Sequence, residues 1–143
     1  MKWVTWENVG VDRMACAWLI LRFIDPKARF SFVPQGQTPD ARAGEPFDVP
    51  GVRLSHHRGH CSFHTFLDEY KLTDPVLRRL ARIIDEADTV QDARVEPSAS
   101  GLDLICSGLR LTSPDDRTAL ERGLLIYDAI YAAIKSEEKV SGA

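Results

Sequence analysis

DPVLRRLARIIDEAD, residues 74–88, is the stretch from which the rest of the chain can be read. Asp74 supplies a capping carboxylate and Pro75 fits the first helical position, so a helix is expected from Val76 to about Thr89. Leu77, Ala81 and Ile84 recur on one face. At 100° per residue, Asp88 falls within about 40° of that apolar stripe and Asp85 sits on its shoulder. A carboxylate facing a core is costly unless it is paired or bound to a metal. The competing expectation is that the helix has left the core by residue 88 and both acids are solvated.

The same start signal recurs at Ser113-Pro114, with Asp115 and Asp116 in the first turn and Leu120, Leu124, Tyr127, Tyr131 and Ile134 forming one stripe. Nearer the N-terminus, Met14, Ala15, Trp18 and Leu21 predict a helix from Val11 to about Ile24, ended by Asp25-Pro26. Ser62 is expected to cap a short helix through Tyr70. Gly101 to Leu111 also reads as helical, weakened by Gly108. Lys2 to Trp6 and Ala28 to Val33 read as strands, the second from its alternation of Phe30 and Phe32 with Arg29 and Ser31. Residues 34–51, with prolines at 34, 39, 46 and 50, read as a loop with at most a short strand near Phe47 to Val49. The fold class expected is mainly α with a small N-terminal β-sheet (α+β). It forms a single compact domain over residues 1–135, followed by a flexible tail, 136–143.

A chain of 143 residues with 44% hydrophobic content is the size of one domain with one core. Its net charge of −3 lacks the basic footprint of a nucleic-acid binder. Cys16, Cys61 and Cys106 are odd in number and widely spaced, which argues against a disulfide framework and for a reducing compartment. No signal peptide is evident, and the apolar segment MACAWLILRFI is interrupted by Arg22 and too short to span a bilayer. A cytoplasmic protein is expected.

All four histidines, His56, His57, His60 and His64, fall in SHHRGHCSFH, residues 55–64. Imidazole is a common ligand for transition metals, yet adjacent histidines point apart, so a site needs carboxylates from elsewhere. Asp85 and Asp88, neighbours on one helical face, are the candidates. Arg13, Arg22 and Arg58 are the cations singled out for an oxyanion, with a local Arg13–Asp12 ion pair as the plainer reading. Cys16, near a helix start beside an arginine, is either an activated thiol or an inert buried one. Cys61 is the more exposed cysteine candidate, as a ligand or reductant. Trp3, Trp6 and Trp18 read as packing residues.

The ordered set VDRMACAWLILRFIDPKARFSFV, FDVPG, the His56-x(4)-Cys61-Ser62-Phe63 segment, LTDPVLRRLARIIDEAD and GLLIYDAIYAAI resembles the ChrB-type chromate resistance domain over roughly residues 3 to 134. The resemblance implies a role in bacterial resistance to chromate or a related oxyanion, usually alongside a membrane chromate transporter. Regulators of that family carry a further N-terminal half thought to contact DNA. The match here begins at residue 3, so direct nucleic-acid binding is not expected. Two departures bear on the site. His64 stands where the family commonly has an acidic residue, and Asp85-x-x-Asp88 stands where a histidine commonly precedes the acid. An exchange of histidine and carboxylate is natural for two ligands of one ion. The expected metal set is therefore His64, Asp85 and Asp88, completed by His56 or His57, around iron, manganese, zinc or nickel. Three functions are compatible with it: a metal-binding domain that senses or transforms chromate, a regulatory module that binds chromate and a partner, and a transcriptional regulator. Self-association into a homodimer is left open.

Overall fold

The computed structural model describes residues 1–141. Strand β1 (Lys2–Trp6) lies between β2 (Arg29–Val33) and β3 (Glu45–Pro46) in an all-parallel sheet of order β2-β1-β3. Parallel neighbours need a crossover, and α1 (Val11–Leu19) provides it between β1 and β2. Four further helices complete the domain: α2 (Ser62–Glu69), α3 (Pro75–Asp88), α4 (Ser98–Thr112) and α5 (Asp116–Ser141). The α+β architecture expected from the sequence is the one observed. No helix among the described residues is long and apolar enough to cross a membrane.

Helix α1 is the axle of the fold. Eight of its nine residues are buried, from Val11 to Leu19 with Arg13 the exception, because α2, α3, α4 and α5 all pack against it. A helix apolar all round is one enclosed on every side. Trp18 stacks on Phe63 of α2 and touches Tyr127 and Tyr131 of α5. Tyr127 is fully buried and donates its hydroxyl to Val11 O at 2.6 Å, which satisfies the one polar atom of a large apolar side chain. The stripe read on α5 is thus the face toward α1, with Leu120, Tyr127 and Ile134 buried.

Several boundaries differ from expectation. The helix from Val11 does reach Ile24, but Ile20–Ile24 is a wider π-helical turn, closed by Asp25 N donating to Ile20 O. The strand expected near Phe47 to Val49 forms one step earlier, at Glu45–Pro46, with only a bridge between Phe47 and Leu54 beyond it. Ser113 does not cap α5; Asp115 does, accepting from Thr118 N at 2.7 Å. Helical backbone continues through residue 136 to Ser141, while 142–143, the end of the expected tail, lie outside the described residues. Gly44 lets β3 reach β1. Its φ is +145°, and a Cβ there would lie 2.6 Å from Lys2 O. Only glycine permits that approach at that backbone angle.

Candidate functional site

The start of α2 organises the chemistry. Its first N–H groups are satisfied by carboxylates from two other helices. Asp12 of α1, 2% exposed, accepts from Ser62 N at 2.8 Å and from Phe63 N at 3.0 Å. Asp85 of α3 accepts from Cys61 N at 2.8 Å. Unsatisfied amides at a buried helix start are costly, and negative charge is favoured there by the helix dipole. Ser62 therefore does not act as the expected cap. Cys61 holds that position, and the Ser62 hydroxyl donates instead to Asp48 Oδ1 at 2.6 Å.

Around Asp12 a first group of side chains converges. His56 Nε2 lies 3.0 Å from Asp12 Oδ2, 3.0 Å from Asp88 Oδ2 and 3.8 Å from Asp48 Oδ1. One ring N–H cannot serve three carboxylates, so the spot calls for a centre of positive charge. With no metal present, hydrogen bonds to Asp12 and Asp88 push the His56 imidazolium up to about 10. Burial and the charge of Asp12 push Asp48 up to about 8. Arg13 Nε lies 3.0 Å from Asp48 Oδ2 but is not aligned for a hydrogen bond. Its other nitrogens donate to Asp48 O, Glu7 O and Asn8 O. The plainer reading of Arg13 is corrected in its partner: the ion pair is with Asp48, across the fold, because Asp12 is turned inward to α2.

This group forms the floor of a cleft of about 550 Å³. Arg13 lies beside the floor, and Arg110, Ser107 and Asp103 of α4 line the same cleft, with Trp6 at its edge. Arg110 makes no ion pair within 4 Å among the described residues. The ligand atoms of Asp12, Asp48 and His56 lie within 4.8 Å of one another, and Asp88 approaches the same His56 nitrogen at 3.0 Å. Three carboxylates and one imidazole form an oxygen-rich set suited to a divalent cation.

A second group lies on the other side of the α2 start. His60 Nδ1 is 2.8 Å and His64 Nδ1 3.5 Å from Asp85 Oδ2, with the two rings stacked at 3.9 Å. Burial pushes Asp85 up, yet His64, the Cys61 amide and His60 together outweigh it and hold the carboxyl at about 2.

The sequence-predicted residues are thus divided. His56 and Asp88 come together in the first group, His64 and Asp85 in the second. His57 joins neither. It sits at the base of a tight turn through Arg58 (φ 54°) and Gly59 (φ 78°), and its Nε2 bonds Arg53 O at 2.8 Å. Arg58 lines a smaller cleft beside His60 and His64. Arg22 is engaged elsewhere, its guanidinium forked on Asp128 at 2.9 and 3.0 Å. Of the two readings of Cys16 the structure takes the buried one, and the expectation that Cys61 is the more exposed cysteine is corrected. Cys16 and Cys61 are both fully buried, and burial followed by the charge of Asp12 raises both thiols well above the ordinary range. Neither offers the accessible thiolate that redox chemistry needs. Asp12, Asp48 and Arg110 were not singled out from the sequence.

Fold and site together define a small α+β domain with a carboxylate–histidine centre beneath a cleft lined in part by arginine. The family model described as the C-terminal domain of ChrB matches residues 3–134. Protein ChrB of Cupriavidus metallidurans is 35% identical over 140 residues, covering 96% of this chain and 42% of that protein. The chain belongs to the ChrB C-terminal domain family. It spans less than half the length of this curated relative. No solved structure matches it.

Proposed function

We propose that this domain serves chromate resistance as a metal-dependent oxyanion-binding domain acting in the cytoplasm. A divalent metal would be held by Asp12, Asp48, His56 and Asp88, and chromate would enter the cleft toward Arg110 and Arg13. The observation that carries this reading is the convergence of Asp12, Asp48 and His56 within 4.8 Å of one another in one cleft, with Asp88 against the same His56 nitrogen. A tetrahedral dianion is repelled by Asp12, Asp88 and Asp103 unless a cation offsets them. Metal binding would supply that cation and would displace the proton from His56. The oxygen-rich donor set fits manganese or iron, with zinc and nickel also accommodated. Since the thiols are buried, any reduction of chromate would draw its electrons from an external reductant; without one, the domain acts as a sensor.

Equilibrium dialysis of tag-free protein with labelled chromate, with and without Mn²⁺ or Zn²⁺, tests this. Saturable binding that requires metal and is lost in His56→Ala and Asp88→Asn is expected. Binding that ignores metal and survives both substitutions overturns the reading. Adding a reductant to the same samples separates turnover from sensing.

A second reading is a regulatory module that binds chromate and hands the signal to a partner, such as a chromate transporter or regulator system. It is favoured by the relative from C. metallidurans, in which a domain of this kind is accompanied by a longer stretch of other sequence.

A further inference from the structure

The first group accounts for His56 and Asp88 and leaves the second without a task. That group has one feature hydrogen bonding does not explain. Asp85 spends Oδ1 on the Cys61 amide and has Oδ2 left for two imidazoles. His60 Nδ1 takes it at 2.8 Å with good alignment. His64 Nδ1, buried and 3.5 Å from the same oxygen, is left with no hydrogen-bond partner among the described residues. A buried ring nitrogen without a partner is costly, and native structures seldom leave one unused.

The spacing is that of a coordination shell. In a tetrahedral zinc site with bonds of about 2.0–2.1 Å, neighbouring ligand atoms stand about 3.3 Å apart. The two observed separations, 2.8 and 3.5 Å, straddle that value, and all three donor atoms lie within 4.8 Å of one another. The outer contacts are also those of a metal site. Asp85 is oriented by the Cys61 amide, and the far nitrogen of His64, Nε2, faces Asp68 Oδ2 at 3.6 Å, itself fixed by Arg78 at 2.8 Å. A carboxylate behind a ligating imidazole sets its tautomer and raises its basicity. Beyond the two rings the site opens to a cleft of about 400 Å³ with Arg53 and Arg58 on its walls.

We propose that His60 Nδ1, His64 Nδ1 and Asp85 Oδ2 form a second metal site, for a borderline first-row cation such as Zn²⁺, with one coordination position open to solvent. It differs from the first centre in donor type. Two nitrogens and one oxygen favour zinc-like ions, whereas the three-carboxylate centre favours harder ones. Three protein ligands with an open fourth position are the pattern of exchangeable or catalytic zinc, and closed structural sites use four.

The test is titration of tag-free, chelator-treated full chain with Co²⁺, a coloured substitute for zinc, followed by displacement with Zn²⁺. A visible ligand-field band saturating at one equivalent is expected. It should be lost or weakened at least tenfold in affinity in His60→Ala and His64→Gln and retained in His56→Ala. The melting curve of His60→Ala serves as the folding control, because that ring is 42% exposed. Isothermal titration with Zn²⁺ supplies a second readout that does not depend on colour. A band, or a zinc isotherm, unchanged in folded His60→Ala and His64→Gln overturns the proposal, as does the absence of both in the wild-type chain. Loss confined to His56→Ala assigns the ion to the first centre and likewise overturns this one. Chromate binding is not part of the assay, so the two readings fail separately.

Discussion

The two groups flank the same helix start and differ in how their buried carboxylates are engaged. Asp12, the anchor of the first, is engaged by two backbone amides, the Cys16 thiol and His56. Asp85, the anchor of the second, meets one amide and two partly exposed imidazoles. The first carboxylate is therefore chiefly a structural member that also points at a cleft. The second has an oxygen to spare for chemistry. The side chains of Asp88 and His60 make few contacts that hold the fold, and these are the positions at which function and stability separate.

Breaking the Asp12 anchor should have the largest effect. Asp12→Ala leaves Ser62 N and Phe63 N without an acceptor in the core and strips His56 of a counter-charge. A loss of about 3–5 kcal/mol is expected, read as a lower urea midpoint. A loss under about 1 kcal/mol would show that α2 does not depend on this cap. Next comes the Asp85 anchor, through pH. The folded carboxyl of Asp85 lies at about 2, below the roughly 3.9 of an unfolded aspartate. Its contribution is complete above the unfolded value and disappears as pH falls through the folded one. Between pH 5 and pH 2.5 the wild type should lose about 2 kcal/mol more than Asp85→Asn in denaturant titrations. Equal losses would remove Asp85 as the sensitive group.

Smaller still is Asp88→Asn, for which about 1 kcal/mol or less of stability is expected, because the side chain is partly exposed. Its effect should appear as lost metal at the first centre in elemental analysis, with the His60–His64 site unaffected. Least of all, His57→Ala should stay within about 0.5 kcal/mol and leave both metal stoichiometries unchanged. A lost equivalent there would return His57 to the ligand set.

The sequence shows the helices better than the site, for a physical reason. Asp74-Pro75 and the apolar stripes are local signals, and α3 and α5 formed where they pointed. Periodicity turned Asp88 toward the core and put Asp85 on the shoulder of the stripe, and the structure reverses the two: Asp85 is 4% exposed, whereas α3 has left the core by Asp88, which lies exposed. Asp12 looked like a surface acid paired with its neighbour Arg13. Recognising it required knowing that α1 is enclosed by four other helices, which is a tertiary fact. Asp48 lies in a loop with φ of 52°, where no periodic pattern assigns a direction. The division of four histidines between two groups follows from the tight turn at Arg58-Gly59, which reverses the chain between His57 and His60. Arg110 came to the cleft only through the packing of α4 on α3 and α1.

Gly44 bears on how this domain tolerates change. It touches no ligand atom and lies in neither cleft, yet it fixes how β3 meets β1 and so where the following Phe47-Asp48 segment runs. In a saturation-mutagenesis library selected for chromate survival, position 44 should therefore be as depleted of substitutions as Asp48 itself. A position without chemistry would then look like part of the site, and only measuring protein abundance beside survival would tell the two apart.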